Sequence, residues 1–455
     1  MSKESEVFNG MLEIISKSSP EVAEQIKKEL EAQRSRLKLI ASENYNSLPV
    51  LMAASALTMD KYSEGNVGKR YYSGCEQVDK IEQLAIDYAK ELFGAEYAYV
   101  QPHSGSDANL IAYYSIVNYL RETAPDHFEN RKPKLLSMDV SAGGHLTHSN
   151  PKNIVNELFE VYTYGVSNEG FIDYKAIRQQ ALEIKPDVIL AGYSAYPRKL
   201  DFSWFREIAN EVGAILMCDM AHFAGLVAGK VFTGVYDPVP YCDIVTSTTQ
   251  KTLRAGRGGL ILSKEYLALY ISQSCPIAQG GPLNNMLAAK AVGFAEALKP
   301  EFREYAQQVV KNCEVLAEGL KLTGIKLLTG GTDNHMLIID LTPLGLTGRQ
   351  AEQALLDCGI VVNRNSIPND PNGSWYTSGI RVGTAALTTR GMKENEMLSL
   401  ASLIALVLTM TKPVEGSKVG YELDPKAIQH VREQAKKLLD RFPLYPELED
   451  ENSVS

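Results

Sequence analysis

The sequence predicts an α/β protein: a large domain on a mainly parallel sheet, followed by a smaller α+β domain. Two observations predict it. Between about residues 41 and 285, short apolar runs such as Ala98–Val100, Asp187–Ala191 and Ala214–Met217 alternate with helix-like segments in a glycine-rich stretch. Buried parallel strands joined by crossover helices give this pattern. From about 286 the texture changes: helix-like Met286–Leu298 leads to strand-like Met336–Leu341, then more helix and the Gly379–Thr384 turn. A chain of 455 residues has room for both domains.

The first 40 residues read as a helical arm. Ser19-Pro20-Glu21 is a helix start, with Ser19 as N-cap and proline at the first helical position. Val22, Ile26 and Leu30 then recur at helical spacing. The large domain is assigned to 41–285 and the small domain to 286–411. Within the latter, Met397–Met410 is the most apolar stretch, but it is too short to span a bilayer and carries Ser399, Ser402 and Thr409, so a buried helix is expected. Residues 412–455 are assigned to a C-terminal extension. Asp424-Pro425 starts a helix with an apolar stripe at Ile428, Val431, Ala435 and Leu438, and the acidic ELEDENSVS end is expected to fray.

Composition excludes several classes. Lys and Arg number 46 against 55 Asp and Glu, a net charge of −9. Neither nucleic acid nor an anionic membrane is therefore an expected partner. Cys75, Cys218, Cys242, Cys275, Cys313 and Cys358 show no CxxC spacing. Reduced thiols in the cytoplasm are expected rather than disulfides or a zinc site. The MSKESEVFNG start has no apolar signal-peptide core.

Two segments carry the central chemistry. Strand-like Ala214–Met217 runs into Cys218-Asp219-Met220-Ala221-His222. A carboxylate at the C-terminal end of a buried strand points into the ligand crevice of an open α/β sheet. Alone, Asp219 could equally cap the next helix. Lys251 follows after 251 − 219 = 32 residues, enough for one crossover and a return to the same sheet edge. Its flank, Arg254-Ala-Gly-Arg257-Gly-Gly, suits close backbone approach around an anion. A lysine desolvated near other cations has a lowered pKa and forms Schiff bases. Pyridoxal phosphate needs both groups. The lysine holds it as an aldimine, and the carboxylate keeps its pyridine nitrogen protonated so that the ring accepts the electrons of a carbanion. The expectation is chemistry at the α-carbon of small amino acids. A surface lysine opening a helix is the bland alternative.

Four further segments fit that expectation. Gln101-Pro-His-Ser104-Gly105-Ser106-Asp107-Ala-Asn109 lies between a strand and a helix. It reads as a phosphate seat at a helix N-terminus, or as a simple N-cap. Gly143-Gly144-His145-Leu-Thr-His148 has histidines at i, i+3 but no third ligand nearby, so no metal is assigned. An imidazole flanked by glycines can stack on a flat ring, or be an ordinary satisfied histidine. Gly379-Ile-Arg381-Val-Gly383 offers an arginine that can fork onto a substrate carboxylate, or form a surface ion pair. Leu39-Ile-Ala-Ser42-Glu43-Asn44, Tyr62-Ser-Glu64-Gly65 and Lys69-Arg70-Tyr71-Tyr72 set Glu64 among tyrosines, as a general acid or base or as part of a solvated loop.

Taken in order, the motifs LIASEN, KYSEG with GKRYYSG, QPHSGSDAN, GGHLTH, CDMAHFAGL, TSTTQKTLR, QGGP and TSGIRVGT resemble those of serine hydroxymethyltransferases, from about Leu37 to Arg390. The resemblance implies a fold-type I, aspartate aminotransferase-like large domain. It implies reversible interconversion of serine and glycine, with tetrahydrofolate as one-carbon acceptor. Lys251 would be the aldimine lysine, Asp219 would hold the pyridine nitrogen, His222 the ring-hydroxyl side, and His145 would stack on the ring. Ser104, Gly105 and Ser106 would bind the phosphate. Gly280, Gly281 and Tyr72 would reach the partner subunit's site in a homodimer or tetramer. Arg381 would take the substrate carboxylate with Ser42 assisting, and Glu64 would handle protons at the one-carbon end. Tyr62, Thr248, Ser194 and Arg257 would line the pocket. Asn365 and Val140 would stand on the folate side.

The sequence departs from the family pattern at several points. Gln250 replaces a histidine beside the lysine and cannot be protonated. Ala142 replaces another histidine. Asp107 puts a carboxylate near the phosphate seat, Ala255-Gly256 alters the loop after the lysine, and an insertion spans Arg121–Lys134. Two competing expectations follow: a related β-hydroxy-amino-acid aldolase or α-methylserine-type transferase with altered folate use, and a catalytically silent pyridoxal-phosphate-binding protein.

Overall fold

The chain begins with two helices, α1 (Lys3–Ser18) and α2 (Pro20–Arg34), in a computed structural model that describes residues 2–448. Ser19 accepts a hydrogen bond from the Val22 N–H and Pro20 sits in the first turn, so local capping sets the break between them. Leu37 and Lys38 then pair in parallel with Ile360 and Val361, which binds the end of the arm to the small domain.

The central sheet has seven strands: β1 (Tyr97–Tyr99), β2 (Lys134–Met138), β3 (Glu160–Tyr164), β4 (Val188–Gly192), β5 (Ile215–Asp219), β6 (Ile244–Thr248) and β7 (Gly259–Ser263). Their order is β1-β7-β6-β5-β4-β2-β3. Only β7 runs against the rest. Successive residues serve opposite faces. Leu136, Ile189, Leu216, Val245 and Leu262 enter one core. Leu135, Val188, Met217, Ile244 and Ile261 enter the other. This two-sided burial explains the continuous apolar runs, each large aliphatic side chain contributing about 1.5–3 kcal/mol.

Helix α3 (Glu76–Phe93) precedes β1 and α4 (Gly105–Thr123) follows it. After the sheet come α5 (Asn284–Ala297) and α6 (Pro300–Leu322). Leu287, Ala291, Phe294, Phe302, Ala306 and Val309 pack into the core of the large sheet, whereas Cys313, Leu316 and Leu320 belong to the core of the small domain. On that packing we place the boundary inside α6 rather than at 286. The small sheet comprises β8 (Met336–Asp340), β9 (Asn363–Asn365) and β10 (Gly379–Gly383), with β10 central and antiparallel to both neighbours. The expected apolar helix is α7 (Glu394–Met410), and Asp424 caps α8 (Pro425–Arg441). Val431, Ala435, Leu438 and Leu439 of α8 share the small domain's core, so this part of the extension packs as one unit with it. The expected fraying concerns mainly residues 449–455, which lie outside the described residues. Among the described residues, no helix is long and apolar enough to cross a membrane.

Candidate active site

The carboxyl ends of the parallel strands meet along one rim, the ligand side of such a sheet. Asp219 ends β5, Thr248 ends β6, and Lys251 follows in the next turn. Lys251 Nζ donates to Thr248 Oγ1 at 3.1 Å, and that hydroxyl reaches the Ala221 carbonyl at 3.3 Å. Burial pushes the Lys251 pKa down to about 8; Arg381 and Arg257 push the same way and Asp219 opposes them.

Asp219 is held from several sides. Its Oδ2 accepts from Asn109 Nδ2 at 2.8 Å and from His148 Nε2 at 3.1 Å, and its Oδ1 accepts from the Ala221 N–H at 3.0 Å. His148 Nδ1 accepts from the His145 backbone N–H at 3.2 Å, so the ring turns its Nε2–H to the carboxylate. Asn109 is fixed in turn. Thr246 donates to its Oδ1 at 2.5 Å, while its amide donates to Thr147 Oγ1 at 2.8 Å. The Thr147 hydroxyl faces His145 Nδ1 at 2.7 Å. Burial opposes ionisation of Asp219, but His148, His145 and Asn109 outweigh it and hold the carboxyl well below the usual range. Burial lowers His145 to about 4, so its ring is neutral at pH 7. His145, His148 and Asp219 present ligand atoms within 4.8 Å of one another. Yet His148 Nε2 and Asp219 Oδ2 are spent on each other, and the trio works as a carboxylate anchor.

Arg381 reaches the same cleft from β10. Its Nη1 donates to the Ser194 carbonyl at 2.5 Å and its Nε to Asn363 Oδ1 at 3.2 Å. Although it is buried, no carboxylate pairs with it among the described residues. Burial pushes the guanidinium down to about 10. Nη1 also lies 3.5 Å from His222 Nε2. A guanidinium only donates, so this nitrogen accepts and His222 Nδ1 carries the proton, 3.3 Å from His335 Nε2. Burial, with the charges of Lys251 and Arg381, holds His222 well below its ordinary pKa.

Ser104 caps α4. Its hydroxyl accepts from the Asp107 N–H at 3.1 Å and donates to Asp107 Oδ2 at 2.8 Å. Asp107 thus commits the Ser104 hydroxyl, and the first-turn N–H groups of Gly105 and Ser106 with the exposed Ser106 hydroxyl remain as donors. Gly105 lies against Thr248: a Cβ there would sit 2.5 Å from Thr248 Cγ2. Only glycine lets the seat approach the lysine's strand this closely.

The other expected residues lie at the rim. The Tyr62 and Tyr72 rings are 4.8 Å apart, and each residue is about half exposed, 53% and 48%. Gly281 packs beside Tyr62, and its carbonyl bonds to His103 Nε2 at 3.0 Å. Arg70 clamps the carbonyls on both sides of Glu64, Ser63 at 2.9 Å and Gly65 at 2.5 Å, and pairs with buried Glu82 at 2.5 Å. The Glu64 carboxylate makes no hydrogen bond among the described residues. Nor do Tyr62, Glu64, Tyr72, Gly280 or Gly281 bond to the Lys251 group within one chain. Ser42 is half-buried in a turn, Val140 is half-buried at the start of a short 3-10 helix, and Arg257 is exposed. Asn365 donates to the Ser366 carbonyl at 2.6 Å, so contact with Arg381 falls to Asn363, which the sequence reading did not single out. Gln250 accepts from the Gly258 N–H at 3.4 Å. His148, Asn109, Thr246 and His335 were also missed as site residues. The two-histidine spacing was the available signal for His148.

Residues 15–404 match the family model described as serine hydroxymethyltransferase. A serine hydroxymethyltransferase of Salinispora tropica is 52% identical over 98% of this chain and 98% of its own. Those of Mycolicibacterium smegmatis and Cutibacterium acnes are 50% and 49% identical, over 98% and 97% of this chain and 95% of each relative.

Proposed function

The chain belongs to the serine hydroxymethyltransferase family, pyridoxal-phosphate-dependent enzymes that interconvert serine and glycine with tetrahydrofolate, and from that premise we propose how its side chains divide the work. The family assignment does not favour the aldolase and silent-protein readings.

The residues fit the cofactor. The first turn of a long helix suits a phosphate dianion, an ionised buried carboxylate suits a protonated pyridine nitrogen, and a lysine biased towards its neutral amine suits an aldehyde. When bound, pyridoxal phosphate supplies an electron sink for the pair released as the Cα–Cβ bond of serine breaks. Ser104, Gly105 and Ser106 form the phosphate seat, with Ser104 acting mainly as the cap that shapes it. Asp219 holds the proton on the ring nitrogen, and His148 and Asn109 hold Asp219. His145 would cover one ring face as a neutral imidazole, His222 would stand at the ring-hydroxyl side, and Thr248, Ser194 and Tyr62 would line the pocket. Arg381 takes the amino-acid carboxylate with Ser42 beside it. Glu64 carries the proton at the serine hydroxyl and the one-carbon end. Val140, Asn365 and Arg257 edge the folate side.

One observation carries the assignment: a buried guanidinium with no carboxylate partner among the described residues shares a cleft with a lysine of lowered pKa. An unpaired buried cation is costly unless a ligand supplies the anion. Tyr72, Gly280 and Gly281 belong, in this reading, to the second subunit's site in a homodimer. Leu57, Met59, Tyr71 and Ile277 stand close to them along the chain and are each more than half exposed, an apolar face suited to a second copy. Six free, buried cysteines support a cytoplasmic location. Glycine formation from serine should depend on tetrahydrofolate. Serine left intact while allo-threonine is cleaved would overturn the assignment.

A further inference from the structure

Lys290 lies outside the cleft, on α5, and is 1% exposed. Its Nζ donates to three backbone carbonyls: Val100 at 2.6 Å, Pro102 at 2.9 Å and Gly259 at 3.0 Å. Among the described residues, no carboxylate is paired with it. Burial lowers its pKa to about 7 while Glu82 pulls it back up. Three acceptors around one nitrogen match the three N–H bonds of an ammonium; a neutral amine would turn its lone pair on a carbonyl oxygen. A buried ammonium is expensive, so its place calls for a reason.

The carbonyls supply one. Val100 and Pro102 belong to the segment that leads from β1 to the Ser104 cap, and Gly259 opens β7 at the end of the loop that leaves Lys251. The two segments also meet directly, since the Gly259 N–H donates to the Pro102 carbonyl at 2.9 Å. Gly258 makes room for the clamp: a Cβ there would lie 2.2 Å from Lys290 Cε and 2.6 Å from Nζ. The loop is braced from the other side by the Thr249 N–H on the Gly258 carbonyl at 3.0 Å.

We propose that Lys290 is a positioning residue for the cofactor: its buried ammonium pins the segment carrying the phosphate seat to the loop carrying Lys251, so that both ends of the cofactor are met at a fixed spacing. The inference rests on the seat proposed above. A preformed seat gains affinity by removing the cost of ordering it on binding.

The test is cofactor titration of the apoenzyme, read by absorbance, alongside thermal unfolding and kcat at saturating cofactor. Lys290→Met keeps the length and removes the donors. Gly258→Ala keeps the lysine and displaces its ammonium, and it decides the matter if Lys290→Met fails to fold. Asn312→Ala is the control, because Asn312 is a fully buried clamp in the small domain, bonded to Thr388 Oγ1 and the Met392 carbonyl at 2.9 Å each. The cofactor Kd should rise about tenfold or more in Gly258→Ala and Lys290→Met, with kcat at saturation nearly kept, and stay unchanged in Asn312→Ala. A lowered Tm with unchanged Kd in the clamp variants overturns the inference. Ser106→Ala separates the two levels. If it loses affinity and the clamp variants do not, the clamp alone is wrong; if none of them loses affinity, the seat is wrong and the clamp falls with it.

Discussion

The cleft around Lys251 and the rim around Glu64 are built in opposite ways. Around Asp219 in the cleft, the polar atoms are spent on the protein: Thr246, Asn109, Thr147 and His145 hand hydrogen bonds along a chain with Asp219 as its branch. At the rim, Tyr62 and Tyr72 are half exposed and the Glu64 carboxylate has no partner among the described residues. A finished polar network fixes charge states before any ligand arrives. An unfinished one waits for something to complete it. The difference teaches that, in the proposed division of work, one chain carries the cofactor half of the site ready-made and only part of the substrate half.

The sharpest way to break this contrast is to remove the group at the centre. Lys251→Ala should abolish borohydride-fixable attachment of the cofactor, seen as loss of the mass increment on the peptide containing residue 251. Turnover should fall by about 10³-fold or more. A retained increment on another lysine would show that the cleft is not where the cofactor is held.

The rim is tested by complementation. In the proposed homodimer, Lys251→Ala and Tyr72→Ala chains should each be nearly inactive on their own. If Tyr72 serves the partner's cleft, each hybrid has one site with both residues intact. Mixing the two after reversible dissociation should then restore about a quarter of wild-type activity, from half the dimers and half their sites. No recovery, with hybrids demonstrated by native mass spectrometry, would place Tyr72 in its own chain's cleft and undo the division between the two regions.

Which parts of this were legible in the sequence follows a physical rule. The placement of Lys251, Asp219 and Ser104–Ser106 was readable because each sits at a strand end or helix start, where local pattern reports direction. His148 was visible, with no metal assigned to its pairing with His145, but without a role: it anchors a carboxylate 71 residues away. Asn109 and Asp219 are 110 residues apart, and nothing local marks such a contact. Asn363 and Asn365 alternate on one strand with the same outward look, and only the register with β10 sets Asn363 opposite Arg381. The apolar stripes of α5 and α6 were equally plain, but a stripe does not say which sheet it covers, and that is why a boundary drawn at 286 differs from the packing.

A smaller effect separates holding from reacting. His148→Leu removes one hydrogen bond to Asp219 and touches no ligand itself. Activity should fall about 10–100-fold, as for loss of other orienting partners, while cofactor attachment to Lys251 persists. Equal loss of attachment would mean that His148 supports the fold of the cleft rather than the charge of Asp219.

The smallest expected effect is a shift along the pH axis. Burial brings the Lys251 pKa from 10.5 to about 8. Only the neutral amine attacks an aldehyde, so cofactor attachment to the apoenzyme should quicken about tenfold per pH unit below 8 and level off above it; an unperturbed lysine would climb to about 10.4. The same shift has a sign in stability. Between about 8 and 10.5 the folded chain binds fewer protons at this site than the unfolded chain, so this group's contribution to apoenzyme stability rises with pH across that window. Arg381 adds to the depression, and Arg381→Met should move the midpoint of attachment upward. Rim substitutions such as Glu64→Gln should leave it in place. A midpoint near 10 in the wild-type apoenzyme, or one that Glu64→Gln moves as far as Arg381→Met does, would mean that the cleft does not set the state of its lysine by itself.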